Sequence, residues 1–193
     1  MQATQQATQE LPIPEKERYT YDDYQELPEG APYELIRGQL VMTPAPSVHH
    51  QRIVATLFRH LDAFVDDTQS GEVLFAPTDV RLDDDTVVQP DVLFVAAEHA
   101  DQVGTQEIEG APDVVMEVVS PTNSHHDLLV KKQIYEQHGV PEYWIIDPDS
   151  RTVEVYRNTD EGFAQHARAV ETGTVTSALL DGFAMDLDGL FQT

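Results

Sequence analysis

The clearest hydrophobic pattern in the chain is the apolar run "VVMEVV" at residues 114–119. A short run of this kind predicts a buried β-strand. One carboxylate, Glu117, interrupts the run, and no lysine or arginine lies within ten residues of it on either side. Because a buried carboxylate without a partner costs several kcal/mol or takes up a proton, this position requires a chemical explanation.

Helical periodicity is strongest in two longer segments. Ser47 predicts an N-cap, and the segment after it carries an apolar stripe at helical spacing, formed by Ile53, Val54, Leu57, Phe58, Leu61, Phe64 and Val65. A second helix is predicted from about His125 to His138. Ser124 and Asp127 resemble a capping box at its start, and Gly139 ends it. The segment "YTYDDYQ" predicts a shorter helix.

Strand patterns fill most of the remaining chain. "YELIRGQLVM" predicts two strands that turn at Arg37-Gly38, and "EYWIID" with "TVEVYR" predicts a hairpin. "EVLFAPTDVRL" and "TVVQPDVLFVAA" are also strand-like, and the C-terminal part suggests one or two further strands. Without repeats or a linker, this mixture predicts one α/β domain, a mixed central sheet flanked by helices, over residues 18–193. Residues 1–17 are polar and low in complexity, which predicts a disordered tail.

The composition excludes several classes of protein. The chain has no cysteine, so disulfide frameworks, thiolate nucleophiles and cysteine-based zinc sites are excluded. Neither a transmembrane helix nor a signal peptide fits the sequence, which predicts a soluble cytoplasmic protein. Its 35 acidic and 11 basic residues give a formal net charge of −24. The simplest interpretation is a solvated acidic surface, typical of a protein that works in high salt.

A second carboxylate occupies a comparable position. Asp91 heads the apolar strand in "QPDVLFV", the strand predicted before that of Glu117. A divalent ion shared by the two carboxylates would explain both, and hard oxygen ligands favour Mg²⁺ or Mn²⁺. The alternative is that Asp91 caps a strand end while Glu117 points to solvent from a half-exposed face.

The helix after Glu117 places a lysine on its apolar side. At about 100° per residue, Lys131 falls among the apolar positions, whereas Lys132 falls on the opposite, polar side. An i,i+4 pair with Asp127 is the simpler explanation of Lys131, although it does not explain the apolar location. Two acidic ligands and one inward lysine together predict metal-assisted hydrolysis of a phosphodiester.

Several ordered motifs resemble a known family. They are "PYELIRGQLVMTPAPSVHHQR", "QPDVLFV", "APDVVMEVVSPTNSHHDLLVKKQIYEQHGVPEYWIIDP" and "TVEVYR". The series is similar to the Uma-type family of restriction endonucleases, whose members look like PD-(D/E)XK nucleases. The resemblance covers roughly residues 19–190 and implies a restriction-endonuclease-like core.

The resemblance also implies roles for individual residues. Asp91 and Glu117 match the two acidic positions, and the backbone carbonyl of Val118 would be a further metal ligand. The general motif has a lysine two residues after the second acid, where this chain has Val119. In the Uma-type family the lysine comes from the following helix, and Lys131 matches it.

Three further residues have implied roles. Glu34 matches a recurring family position, as an auxiliary ligand or a charge in the hairpin. His50 matches another, as a catalytic residue or a core residue near the predicted helix start. Asp127 would orient Lys131.

The charge conflicts with the implied DNA substrate, since phosphate contacts normally dominate affinity for DNA. One explanation is that the protein works in molar salt, where a Debye length of about 3 Å screens its surface. The other is that the nuclease fold serves a binding or regulatory module that cuts nothing. A homodimer that cuts two strands is implied by the resemblance alone.

Overall fold

The computed structural model of the chain describes residues 13–120 and 125–192, and within the second range it describes side chains from Leu128 onward. Most of the predicted tail, residues 1–12, therefore lies outside the described part. The predicted capping pair of Ser124 and Asp127 lies outside it as well. No described helix is long and apolar enough to cross a membrane.

The described chain forms helices and strands in mixed order. The helices are α1 (Tyr21–Gln25), α2 (Val48–Thr68), α3 (His125–Gln137) and α4 (Leu187–Phe191), with a short 3-10 helix at Ala97–Gln102. The first strands are β1 (Tyr33–Ile36), β2 (Gln39–Met42), β3 (Gly71–Phe75), β4 (Asp79–Asp83), β5 (Thr86–Val88), β6 (Val92–Ala96) and β7 (Glu107–Glu109). The later strands are β8 (Val114–Val118), β9 (Glu142–Asp147), β10 (Thr152–Thr159), β11 (Gly162–Val170), β12 (Thr174–Thr176) and β13 (Ala184–Asp186).

The strands belong to two mixed sheets and a small ribbon. The larger sheet has six strands in the order β11-β10-β9-β8-β6-β3, and the smaller has five in the order β2-β1-β5-β4-β7. Pairing is antiparallel except between β8 and β9 and between β4 and β7. Strands β12 and β13 pair separately. The predicted α/β class is confirmed, with the strands divided between two sheets.

The six-stranded sheet lies at the centre because both of its faces are covered. Helix α2 packs its apolar stripe on one face, against β6, β8 and β9. On the other face, side chains of the five-stranded sheet and of α3 pack against Leu93, Val95, Val115 and Tyr143. Alternation along β8 thus sends Val114, Met116 and Val118 towards α2, and sends Val115 and Glu117 the other way. This register decides where the Glu117 side chain lies.

Local signals placed several boundaries correctly. The Ser47 side chain accepts a hydrogen bond from the His50 backbone N–H, as an N-cap does. Arg37 and Gly38 both have positive φ, of 50° and 78°, which joins β1 to β2 by a tight turn. The predicted hairpin is β9 and β10, and α3 ends just before Gly139.

Three features differ from the sequence-based expectation. Each long strand-like segment divides at its proline, Pro77 or Pro90, and its two halves join different sheets. A proline lacks the N–H donor that a continuous ladder needs. The C-terminal part forms three strands and a helix, and β11 alone has nine residues. Ile13, from the predicted tail, is buried with tyrosines of the α1 region, so the packed domain includes it.

Candidate active site

Five of the predicted site residues line one cavity of about 300 Å³. Different elements supply them: Glu34 comes from β1, His50 from α2, Asp91 from the residue before β6, Glu117 from β8 and Lys131 from α3. The cavity therefore lies where the two sheets, α2 and α3 meet. The structure brings these residues together, whereas their catalytic and metal-binding roles stay predictions.

Glu117 is 4% exposed and has two partners that the local sequence does not show. Its Oε1 accepts hydrogen bonds from Lys131 Nζ at 3.0 Å and from the Tyr135 hydroxyl at 2.7 Å. Burial raises the pKa of Glu117 to about 7; the Lys131 charge opposes this rise, and the charges of Asp91 and Glu34 add to it. The alternative in which Glu117 points to solvent is therefore wrong.

Lys131 connects two carboxylates. Its Nζ lies 2.9 Å from Glu34 Oε1 as well as 3.0 Å from Glu117 Oε1, and its side chain is only 13% exposed. Burial by itself lowers the pKa of Lys131, but the charges of Glu117 and Glu34 outweigh it and raise the pKa. Both carboxylates thus favour the ammonium form of Lys131 at neutral pH. Its predicted contact with Asp127 lies outside the described side chains.

Asp91 is held by the strand that carries Glu117. Its Oδ2 accepts a hydrogen bond from the Val118 backbone N–H at 2.8 Å and lies 3.2 Å from His50 Nε2. Burial lowers the pKa of His50, but the hydrogen bond and the charge of Asp91 raise it above its usual 6.5. His50 also interacts with the Val118 backbone, so it contacts both the Asp91 carboxylate and the peptide predicted as a ligand.

Two groups in this network were not predicted from the sequence. Tyr135 lies on the apolar side of α3 with Lys131, and its position four residues after Lys131 is the one sequence signal for its contact with Glu117. The Gln89 backbone N–H donates to Glu34 Oε1 at 2.7 Å. Every residue except proline has a backbone N–H, so the sequence cannot show which one contacts Glu34, and only the tertiary structure reveals this contact.

Lys132 lies on the other side of α3 from Lys131, as the helical period predicts. It is half-buried there, and its Nζ lies 3.2 Å from the centre of the Tyr156 ring. It lines a second cavity, of about 460 Å³, on the other side of α3. Burial lowers the pKa of Lys132, partly offset by Glu154 and Glu136. The two lysines therefore face different cavities on opposite sides of α3.

The donor set fits a hard divalent cation chemically. Glu34, Asp91 and Glu117 place three carboxylates on one cavity, with one lysine to balance them. Oxygen ligands of this kind suit Mg²⁺ or Mn²⁺, and Mg²⁺ usually keeps several water ligands. Within the described residues, no three His, Asp or Glu side chains are arranged to hold a metal. A metal would therefore depend on Asp91 and Glu117 together with backbone and water oxygens.

Burial alone does not mark a carboxylate as functional, as Glu142 in β9 shows. Glu142 is fully buried, and it accepts hydrogen bonds from Trp144 Nε1 at 2.6 Å, Ser177 Oγ at 2.7 Å and the Leu179 backbone N–H at 2.9 Å. Those neutral donors satisfy it and hold the loop after β12. Glu117 differs because its neighbours are a cation and two further carboxylates.

Comparisons with known proteins show the family and the fold of the chain. A family model described as "Uma2: Putative restriction endonuclease" matches residues 21–188, which is most of the chain. The chain belongs to the Uma2 family. It is also similar to a solved structure from Anabaena variabilis, described as a "putative nuclease belonging to DUF820", with 23% identity and a TM-score of 0.74. That match covers 89% of this chain and 97% of the other, and it shows a shared fold. No curated protein matches the Uma2 chain.

Proposed function

We propose that this Uma2 protein is a metal-dependent endonuclease that hydrolyses phosphodiester bonds of DNA with a metal-activated water. One observation carries the proposal: Asp91, Glu117 and Lys131 converge on one cavity from three separate elements. Only the complete fold brings these three residues together. They supply two carboxylates that can hold a metal ion and one ammonium that can stabilise negative charge. The family described as restriction endonucleases supplies the expected substrate class.

The residues of the cavity have two proposed roles, metal binding and positioning. Asp91 and Glu117, with the Val118 carbonyl, would hold Mg²⁺ or Mn²⁺. The ion when bound lowers the pKa of a water and stabilises charge on the phosphate. Glu34 and Tyr135 position Lys131 and Glu117 by their hydrogen bonds.

Lys131 acts through its charge. Two of its three N–H donors point to Glu117 and Glu34. The ammonium would orient the attacking water or stabilise a phosphate oxygen as negative charge develops there. The charges of Glu117 and Glu34 raise the pKa of Lys131, which favours this ammonium form at neutral pH.

The acidic surface sets the conditions under which this activity should appear. With a formal net charge of −24, the chain repels DNA at low ionic strength. Salt screens that repulsion, and molar salt reduces the Debye length to about 3 Å. We therefore propose that cleavage persists in salt concentrations that prevent most nucleases from binding.

The test has two measurements. Calorimetric titration of Mn²⁺ should show binding to wild type and to Asp67→Asn, an exposed control, but weak or no binding to Asp91→Asn and Glu117→Gln. Single-turnover cleavage over a salt series should then be lost in the same two site variants.

Two outcomes would contradict the proposal. Unchanged Mn²⁺ binding in both site variants would exclude the metal site. Metal binding without cleavage under any salt condition would favour the binding or regulatory module, to which the surface charge also points.

A further inference from the structure

The cavity is bordered by apolar residues that face solvent. We call Val41, Met42, Pro44, Pro46, Ala76 and Pro77 the apolar rim, and all of them line the cavity. Val41 and Met42 are 41% and 45% exposed, and they are two of the seven large apolar side chains that face solvent in the described chain. Phe75, 49% exposed, directly precedes the rim residue Ala76. Exposed apolar side chains concentrated beside a cavity indicate a binding surface.

The same surface offers few cations for phosphates. Among the described residues that line the cavity, Lys131 and His50 are the only basic ones. Lys131 already contacts Glu34 and Glu117, and His50 contacts Asp91. Duplex DNA carries one charge per about 1.7 Å, and its binding rests on lysine and arginine contacts to phosphate. This cavity is therefore poorly suited to bind a duplex through its backbone.

Unpaired nucleotides present a different surface. Their bases expose flat, apolar faces that are stacked on neighbouring bases inside a duplex, and proteins bind single strands by packing side chains against these faces. The rim offers the Val41 and Met42 side chains and three proline rings for such contacts, whereas Phe75, whose ring packs edge-on against Phe58, does not itself line the cavity. Val41 and Met42 lie on β2, at the edge of the five-stranded sheet, where a single strand of DNA can reach them.

We propose that the cavity takes unpaired nucleotides of single-stranded DNA, with bases packed on the apolar rim and one phosphodiester directed at Asp91 and Glu117. This inference rests on the proposed nuclease function and specifies its substrate. It also removes the need for a homodimer, since one cavity cuts one strand.

Binding can be measured without cleavage by replacing Mg²⁺ with Ca²⁺. The probe is a labelled single strand of about 15 nucleotides, compared by fluorescence anisotropy with the same strand annealed to its complement. Wild type should bind the single strand at least about tenfold more tightly. The slope of log affinity against log salt should stay shallower than about −2, because few phosphates are neutralised.

Variants of the rim test the contact itself. Met42→Ser combined with Val41→Ser should weaken single-strand binding by roughly tenfold, the scale of one lost stacking contact. Leu179→Ser is the matched control, since Leu179 is also 45% exposed but does not line the cavity. All these side chains are exposed, so the variants should fold, as thermal melting would verify.

Several results would overturn the inference. One is equal or tighter binding of the duplex, and another is a rim variant that behaves like the Leu179 control. If ultracentrifugation shows a wild-type dimer that the rim variant loses, while single-strand affinity is unchanged, the rim is a contact between two copies. Cleavage lost in Glu117→Gln would support the nuclease function in each case, so the two proposals fail separately.

Discussion

Replacing Lys131 with methionine should destabilise the metal-free protein by about 3–5 kcal/mol, the scale of leaving a buried charge without its partner. Methionine fills a similar volume, so the change isolates the charge. In the structure, Lys131 Nζ lies 2.9 Å from Glu34 and 3.0 Å from Glu117, both buried carboxylates. The Tyr135 and Gln89 donors remain, but neither is charged. For a domain of this size, the loss corresponds to a melting temperature lower by about 6–20 °C.

The assay is urea unfolding at about pH 8.5 and about pH 5.5, with Lys132→Met as the matched control. Burial already raises the pKa of Glu117 to about 7, and loss of Lys131 raises it further. Glu117 is therefore protonated at the lower pH, and the cost of the substitution should shrink there. Adding Glu117→Gln to Lys131→Met should recover part of the loss at the higher pH.

A stabilising charge pair at Lys131 is refuted if Lys131→Met and Lys132→Met both stay within about 1 kcal/mol of wild type at the higher pH. Such a result would mean that water or local rearrangement screens both glutamates in the folded state. A loss that does not depend on pH would instead indicate a packing defect rather than unpaired charge.

Three further outcomes are expected. Tyr135→Phe removes the 2.7 Å bond to Glu117 and should cost about 1–3 kcal/mol in urea unfolding, because a buried acceptor loses its donor. Ser47→Ala should cost about 1 kcal/mol through loss of the α2 N-cap, measured by thermal melting. The hydrogen bond to Asp113 raises the pKa of His99, so its stabilising effect is complete below the unfolded value near 6.5 and disappears as pH rises through the folded pKa. In His99→Gln, stability measured against pH should lack that decline.

The two buried glutamates Glu117 and Glu142 show that the partners of a buried carboxylate cannot be predicted from neighbouring residues. "VVMEVV" and "EYWIID" each contain or begin with a glutamate in an apolar strand, and both glutamates are buried. Glu142 meets neutral donors from a loop 35 to 37 residues later, whereas Glu117 meets Lys131 and two carboxylates. The difference depends on which distant elements pack over each strand, and no local pattern records that.

The sequence by itself determined the elements whose signals lie within a few residues. The N-cap at Ser47, the turn at Arg37-Gly38, the β9–β10 hairpin and the inward direction of Lys131 follow from caps, turn geometry and helical period. Each depends on near neighbours alone, so periodicity and side-chain chemistry suffice to predict it.

Only the tertiary structure decided how those elements meet. It divided two strand-like segments between two sheets. It also brought Glu34 of β1 into an ion pair with Lys131 and the Lys132 ammonium over the Tyr156 ring. These contacts join residues far apart in the chain, and their strength depends on how completely the surrounding layers exclude water. Burial and charge pairing of this kind arise from the packing of the whole domain, which is why the sequence indicated the candidate site residues but not the network that holds them.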